Sequence, residues 1–228
     1  WYKDNEPYQA LLMPFDREVA LDYSGNENEV SVTARYGKDR NDFGAYVFNG
    51  AEEIIVTDDA SISMTATKND VVVLSAWIKT KSGGPIFIKK KEYGLLLTDT
   101  GSFIFNSWGD TSGSIGSGYN DGRRHHVVAV FKEGVSYSIY VDGTLIGEAA
   151  TTDTSPNTAN DLEIGRHSTK SLYFEGKIDD IMIFMHDLSS DQIKALYDSY
   201  DTSAPFDIID AEETTTGVKR MKAFEKND

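Results

Sequence analysis

The chain has 228 residues, with 37 acidic against 22 basic side chains, four His, no Cys and a net charge of −15. That field repels polyanions, so nucleic acid and anionic membrane surfaces are disfavoured partners. The missing Cys excludes disulfides, thiol nucleophiles and Cys-ligated zinc, while 39% hydrophobic and 11% aromatic residues suffice for a real core.

The chain opens on Trp1 with no leader pattern, and we read it as a processed or excised chain. Residues 71–79 (VVVLSAWIK) run apolar and then alternate, ending at the breaker cluster Ser82 to Pro85. The longest apolar runs, 71–74 and 127–131, are strand-sized, so no membrane insertion is expected. Ile86–Ile88 and Tyr93–Leu97 read as a hairpin around the basic tip Lys89 to Lys91. Residues 102–108 alternate, 127–131 read as buried on both sides, and Ser136–Val141 alternate again before Asp142-Gly143, a tight-hairpin pair. Leu162–Ile164 and Gly176–Phe184 complete the strands. Ser189 to Gln192 form a capping box for a helix whose apolar stripe is Ile193, Leu196, Tyr197 and Tyr200, fit to lie against a sheet edge. Residues 1–200 read as one all-β jelly-roll sandwich with a short C-terminal helix, and 201–228 as a polar tail or linker.

Six segments in series carry a resemblance. They are Pro14-Phe15-Asp16 with Asp22 to Asn28, Phe48-Asn49-Gly50, Ser75 to Ile78, Arg124 to Phe131, Tyr140 to Gly143, and Gly176 to Phe184 followed by Leu188 to Ile193. Together they resemble the laminin-G-like jelly rolls of the concanavalin A-like lectin/glucanase superfamily. Arg124 stands where Trp is usual in that pattern, and Gln192 where Glu is usual.

The resemblance implies a structural Ca²⁺ near the terminal strands, and Asp22, Asn26, Asn28, Asp179 and Asp180 supply oxygens there. Strand alternation puts Asp179 and Asp180 on opposite faces, so only one would be a ligand, and which one stays open. The alternative for 22–28 is a solvated Asx-turn loop. For sugar recognition, an aromatic platform beside hydroxyl-binding polar groups is expected from Trp108, Asp110, Tyr119 and Asn120, joined by Tyr93 and Arg166. The alternative is that Trp108 caps the core. His125 and His126 should point to opposite faces, and Lys89 to Lys91 should be a solvated tip.

The superfamily's glucanases carry alternating Glu-x-Asp-x-Glu carboxylates on one strand. Glu52-Glu53 and Asp58-Asp59 are adjacent instead, and Asp161 and Glu163 lack a third partner. The expectation is a non-catalytic carbohydrate-binding or adhesion module with structural Ca²⁺, secreted, at a cell surface or on a virion, whose partner is a glycan or a surface protein. The competing readings are an assembly domain of a larger surface or virion protein that binds no glycan, and a polysaccharide-acting enzyme with an unrecognised site.

Overall fold

Alternating β-branched and aromatic residues, broken by Gly and Asp turns, carry this chain through successive strands. The computed structural model describes residues 2–3, 6–15, 18–38, 44–64, 70–107, 110–111, 113–201, 212–213 and 219–220. The first strands are β1 (Tyr2–Lys3), β2 (Glu6–Pro7), β3 (Leu11–Met13), β4 (Val30–Val32), β5 (Arg35–Lys38), β6 (Gly44–Asn49) and β7 (Ile54–Val56). The middle of the chain forms β8 (Val71–Lys79), β9 (Gly84–Lys89), β10 (Tyr93–Leu97), β11 (Phe103–Ser107), β12 (Asp110–Thr111), β13 (Arg124–Lys132) and β14 (Ser136–Val141). Then come β15 (Thr144–Ala150), β16 (Leu162–Ile164), β17 (Arg166–His167), β18 (Leu172–Tyr173), β19 (Glu175–Phe184) and the helix α1 (Ser190–Asp201).

Two antiparallel sheets form the sandwich. One has seven strands in the order β12-β11-β10-β9-β16-β7-β4; the other has eight, ordered β15-β14-β13-β8-β19-β6-β5, with β3 also paired to β19. The jelly-roll expectation is met. The inner faces interdigitate through Phe48, Phe87, Phe103, Phe105, Phe131 and Ile139, all buried. Phe105 stacks on Phe131 with centroids 4.8 Å apart, an arrangement worth about 1 kcal/mol beyond its burial.

A second apolar cluster lies on the outer face of the eight-stranded sheet. Trp77, Val128 and Val130 pack there under Leu188 and Ile193, with Leu196 and Tyr197 alongside. The helix thus seats on the outer sheet face while also meeting the edge strand β15, the kind of element its stripe suggested. Its N-terminus is closed by the expected reciprocal bonds: Ser189 N–H donates to Gln192 Oε1 at 2.8 Å and Gln192 N–H to Ser189 Oγ at 3.2 Å. Asp142 and Gly143 both adopt positive φ, 50° and 72°, as the tight β14–β15 hairpin requires.

The basic tip is a correction. Lys89 is fully buried, its ammonium bonded to Asp58, to the Asn160 carbonyl at 2.6 Å and near Glu92 at 3.5 Å. Lys90 bridges to Glu163 at 2.9 Å. Tertiary carboxylates captured both cations, so this turn is a clamp rather than a solvated loop.

Candidate functional site

The expected sugar-binding set divides between the two ends of the sandwich. At one end, Asn120 Nδ2 donates to the Asp99 carbonyl at 2.9 Å, and Asp99 Oδ1 accepts from Gly83 N–H at 3.2 Å. Gly84 follows, and a Cβ built on it would lie 2.9 Å from Phe174 Cα, beside Tyr173. Tyr173 pairs with Arg166, whose guanidinium lies 5.7 Å from the Tyr173 ring centroid and bonds Glu53. Asn120, Arg166 and the turn at 98–102 therefore share one rim.

Tyr119 joins that rim from the Asn120 loop. Its ring lies 5.5 Å from Phe103 and meets His125 edge-on at 5.4 Å. Burial raises its hydroxyl pKa. His125 Nδ1 bonds Asp142 at 2.9 Å and Nε2 bonds Asp121 at 3.2 Å, and the Asp142 bond, more than the desolvation opposing it, raises the imidazole pKa. His126, as alternation required, points the other way into the outer cluster, where Nε2 bonds Ser75 Oγ at 2.9 Å. Burial lowers its pKa to about 4.

Tyr93 and Asp110 belong elsewhere, which corrects the proposed set. Strand β10 runs toward the rim, so its first residue, Tyr93, starts at the far end, paired with Lys89. Tyr93 is buried, and its hydroxyl donates to the Ile62 carbonyl at 2.6 Å, which makes it core. Strand β11 runs away from the rim, so Asp110, paired with Ser107, is also at the far end. Four residues of strand, about 13 Å, separate that pair from Phe103. Trp108 lies outside the described residues.

The acidic pair is a second correction. Alternation predicted opposite faces for Asp179 and Asp180, but β19 is irregular between Asp179 and Met182, and Asp180 has φ 49°. Both carboxylates consequently reach one guanidinium: Arg124 Nη2 lies 2.8 Å from Asp179 Oδ2 and 3.4 Å from Asp180 Oδ2. The cation facing them is one of the two residues that depart from the resembled pattern. Nothing local in the sequence links Arg124 to residues 55 and 56 positions further along the chain.

Asp22 is a separate centre. Its Oδ1 accepts N–H from Leu12 (3.1 Å) and Ser24 (2.8 Å), and Oδ2 accepts from Ser24 Oγ (2.8 Å), Asn28 N (3.1 Å) and Asn28 Nδ2 (2.7 Å). Asn26 and Asn28 both direct their amides at the Ala10 carbonyl, each at 3.0 Å. Asn26 Nδ2 also reaches the Gln9 carbonyl at 3.2 Å, and the buried Gln9 Oε1 has no hydrogen-bond partner. Among the described residues, no three His, Cys, Asp or Glu side chains are placed to hold one metal ion. The five-residue calcium set is therefore not assembled around a shared carboxylate group.

Four of the carboxylates considered for catalysis are engaged structurally. Glu53 holds Arg166, Asp58 holds Lys89, Glu163 holds Lys90 and Ser168 N–H, and Asp161 accepts from Asp58 N–H at 2.9 Å.

Several solved structures share this architecture. The binding domain of Paraclostridial Mosquitocidal Protein 1 superposes with a TM-score of 0.71 at 13% identity, over 86% of this chain and 53% of that one. The binding domain of botulinum neurotoxin DC, solved with rat synaptotagmin II, gives 0.66 at 17% identity over 90% and 54%. A botulinum neurotoxin type C structure, described as depending on two ganglioside molecules for cell entry, gives 0.65 at 18% over 90% and 53%. The chain thus spans about half the length of these neighbours, and at such identities the likeness is one of fold. No curated protein sequence matches the chain. Residues 27–194, well over half the chain, match the family model described as concanavalin A-like lectin/glucanases superfamily, so the chain belongs to that superfamily.

Proposed function

We propose that this protein is a non-catalytic recognition module, acting outside the cell or at its surface, that binds a glycan or a glycan-bearing surface protein. The observation that carries the reading is the rim, where separate loops bring Tyr119, Asn120 and Arg166 to one end of the sandwich. An aromatic ring, an amide and a guanidinium are the groups that match a sugar's C–H face and hydroxyl edge. The engaged carboxylates argue against glycoside hydrolysis, which needs two of them facing one bond. Two of the structural neighbours are described with a protein receptor and with gangliosides, which supports a recognition role without naming this chain's ligand.

A glycan array probed with the protein and with Asn120→Ala and Arg166→Ala variants tests this. We expect a bound glycan whose signal falls in both variants. A blank array, or binding indifferent to both substitutions, would overturn the reading in favour of an assembly role.

A structural Ca²⁺ is the finer part of the proposal, supported by the Asp22 loop alone. The Asp22 carboxylate, the Gln9 and Ala10 carbonyls and the Asn26 and Asn28 amide oxygens would hold it, with the amides exchanging their O and N ends. Bound there, Ca²⁺ would fasten the segment before β3 to the loop that precedes β4.

A further inference from the structure

Tyr93, Lys89, Leu162 and Val56 stand in one register row across four strands of the seven-stranded sheet. Tyr93, Leu162 and Val56 belong to the inner core, and Lys89 is as completely buried as they are. A lysine is almost never fully buried unless it is paired. This one meets carboxylates from two segments. Asp58, two residues past Val56, bonds the ammonium. Glu92 brings Oε1 to 3.5 Å of it, and the Asn160 carbonyl accepts from it at 2.6 Å. Lys90, Lys132 and Lys194, by contrast, keep 32%, 40% and 60% of their side chains exposed in their ion pairs.

The two acids are held differently. Glu92 is fully buried, and its anchors are independent of the lysine. Met64 N–H donates to Oε2 at 3.1 Å, and Thr158 N–H and Oγ1 each donate to Oε1 at 2.8 Å. Its position therefore does not rest on the charge of Lys89. Asp58 is partly open, with 28% of its side chain exposed, and Ser63 Oγ donates to its Oδ1 at 3.1 Å. An amine nucleophile, a carboxyl carbon and a fixed carboxylate able to shuttle protons thus meet at one water-poor end of the core.

We propose that Lys89 and Asp58 condense into an intramolecular isopeptide bond, with Glu92 relaying the protons. Proton transfer within the pair gives an amine and a carboxylic acid, which cost less to bury than two ions. Lys89 Nζ attacks Asp58 Cγ, and Glu92 takes a proton from the nitrogen and delivers it to the departing hydroxyl. The Nζ–Cγ bond forms and one Cγ–O bond breaks. One water leaves by the open side of Asp58, carrying two of the three ammonium hydrogens, and no oxidant or co-reactant is needed. Fixed juxtaposition supplies the effective concentration that such a condensation lacks in bulk water, and burial keeps water from reversing it. The amide joins residues 31 positions apart and straps β7 to β9 across β16. The start of β16 is already tied to both partners, through the Asn160 carbonyl on Lys89 and the Asp161 carboxylate on Asp58 N–H. In a chain without Cys, this is a covalent brace that needs no disulfide.

Intact-mass spectrometry of the purified, then denatured, protein tests the proposal. We expect the wild type to weigh one water less than its sequence requires. Digestion should then give one branched peptide joining the Lys89 and Asp58 segments. Asp58→Asn should close with loss of ammonia instead of water, and Asp58→Ala should keep its full mass. Asp121-Gly122 and Asp142-Gly143 could lose the same water by cyclising to succinimides. Alkaline hydroxylamine opens a succinimide and leaves an amide cross-link intact, so the expected deficit survives that treatment. A folded wild type of full mass overturns the proposal. So does a deficit that hydroxylamine removes or that persists in Asp58→Ala. Glu92→Gln that melts cooperatively should also keep its full mass; closure in that variant overturns the relay.

Discussion

The Arg124 guanidinium lies 4.2 Å from the Trp77 ring centroid while its Nη2 meets Asp179 at 2.8 Å. Both acids are buried, and the arginine is mostly shielded between the ring and the carboxylates. A buried charge is tolerable only when paired, and losing one partner typically costs about 3–5 kcal/mol. Arg124→Ala should therefore lower unfolding free energy by about 3 kcal/mol in urea melts. Asp179→Asn in that background should recover part of the loss, because it removes a charge left facing no guanidinium. A single variant as stable as wild type would show that the pair is neutralised otherwise.

Glu92 is the corresponding hub at the far end. It is fully buried and accepts from Met64 N–H at 3.1 Å, Thr158 N–H at 2.8 Å and Thr158 Oγ1 at 2.8 Å, beside the Lys89 ammonium. Glu92→Ala strands those donors while Asp58 still holds the Lys89 ammonium, and should destabilise by about 3 kcal/mol. Hydrogen exchange should speed up first at Thr158, whose N–H and Oγ1 the Glu92 carboxylate holds. Uniform exchange across the chain would instead point to global unfolding without a local latch.

Much of the fold is legible in the sequence because its signals are local. The Asp142-Gly143 turn needs only two residues that accept positive φ, and the Ser189–Gln192 capping box closes within four. What escapes is set by register between distant strands. Lys89 looks like the start of a solvated turn until Asp58 and Asn160 arrive from elsewhere to bury it. Asp179 and Asp180 obey alternation until the irregularity in β19 turns both toward Arg124. Proximity in sequence groups Asp110 with Tyr119 and Asn120. Yet β11 runs to the far end, where Asp110 of β12 pairs with Ser107, and the returning segment, bridged from Ile115 to Phe103, carries Tyr119 the other way. A hydrophobic pattern reports which face a residue uses, and says nothing of which end of a sandwich it reaches.

Calcium should act on folding if it binds the Asp22 loop. Free Ca²⁺ at a hundred times its dissociation constant adds about 2.7 kcal/mol. The melting temperature should rise with added Ca²⁺ and fall with EDTA, and Asp22→Ala should remove the increment. Substituting Asp179 should leave it intact, since Arg124 occupies that carboxylate. A melting temperature indifferent to Ca²⁺ from the stripped protein would reject the site.

Acid stability turns on His126. Its folded pKa of about 4 lies below the ordinary imidazole value of 6.5, because burial penalises the cation. Above pH 6.5 the ring is neutral in both folded and unfolded chains, so it contributes no slope there. Between pH 6.5 and 4 the unfolded chain takes up a proton that the folded one refuses, and stability falls, by roughly 3 kcal/mol across the window at 1.36 kcal/mol per unit. His125 acts in the opposite sense. Its pKa is raised, chiefly by Asp142, so its contribution is full below about 6.5 and disappears as pH rises through the folded value. His126→Gln keeps a group able to bond Ser75 but cannot titrate, so its melts should lose the decline between pH 6.5 and 4. His125→Gln should keep that decline and flatten the neutral-to-alkaline side. If the acid slope survives in His126→Gln, the carboxylates rather than this ring govern unfolding in mild acid.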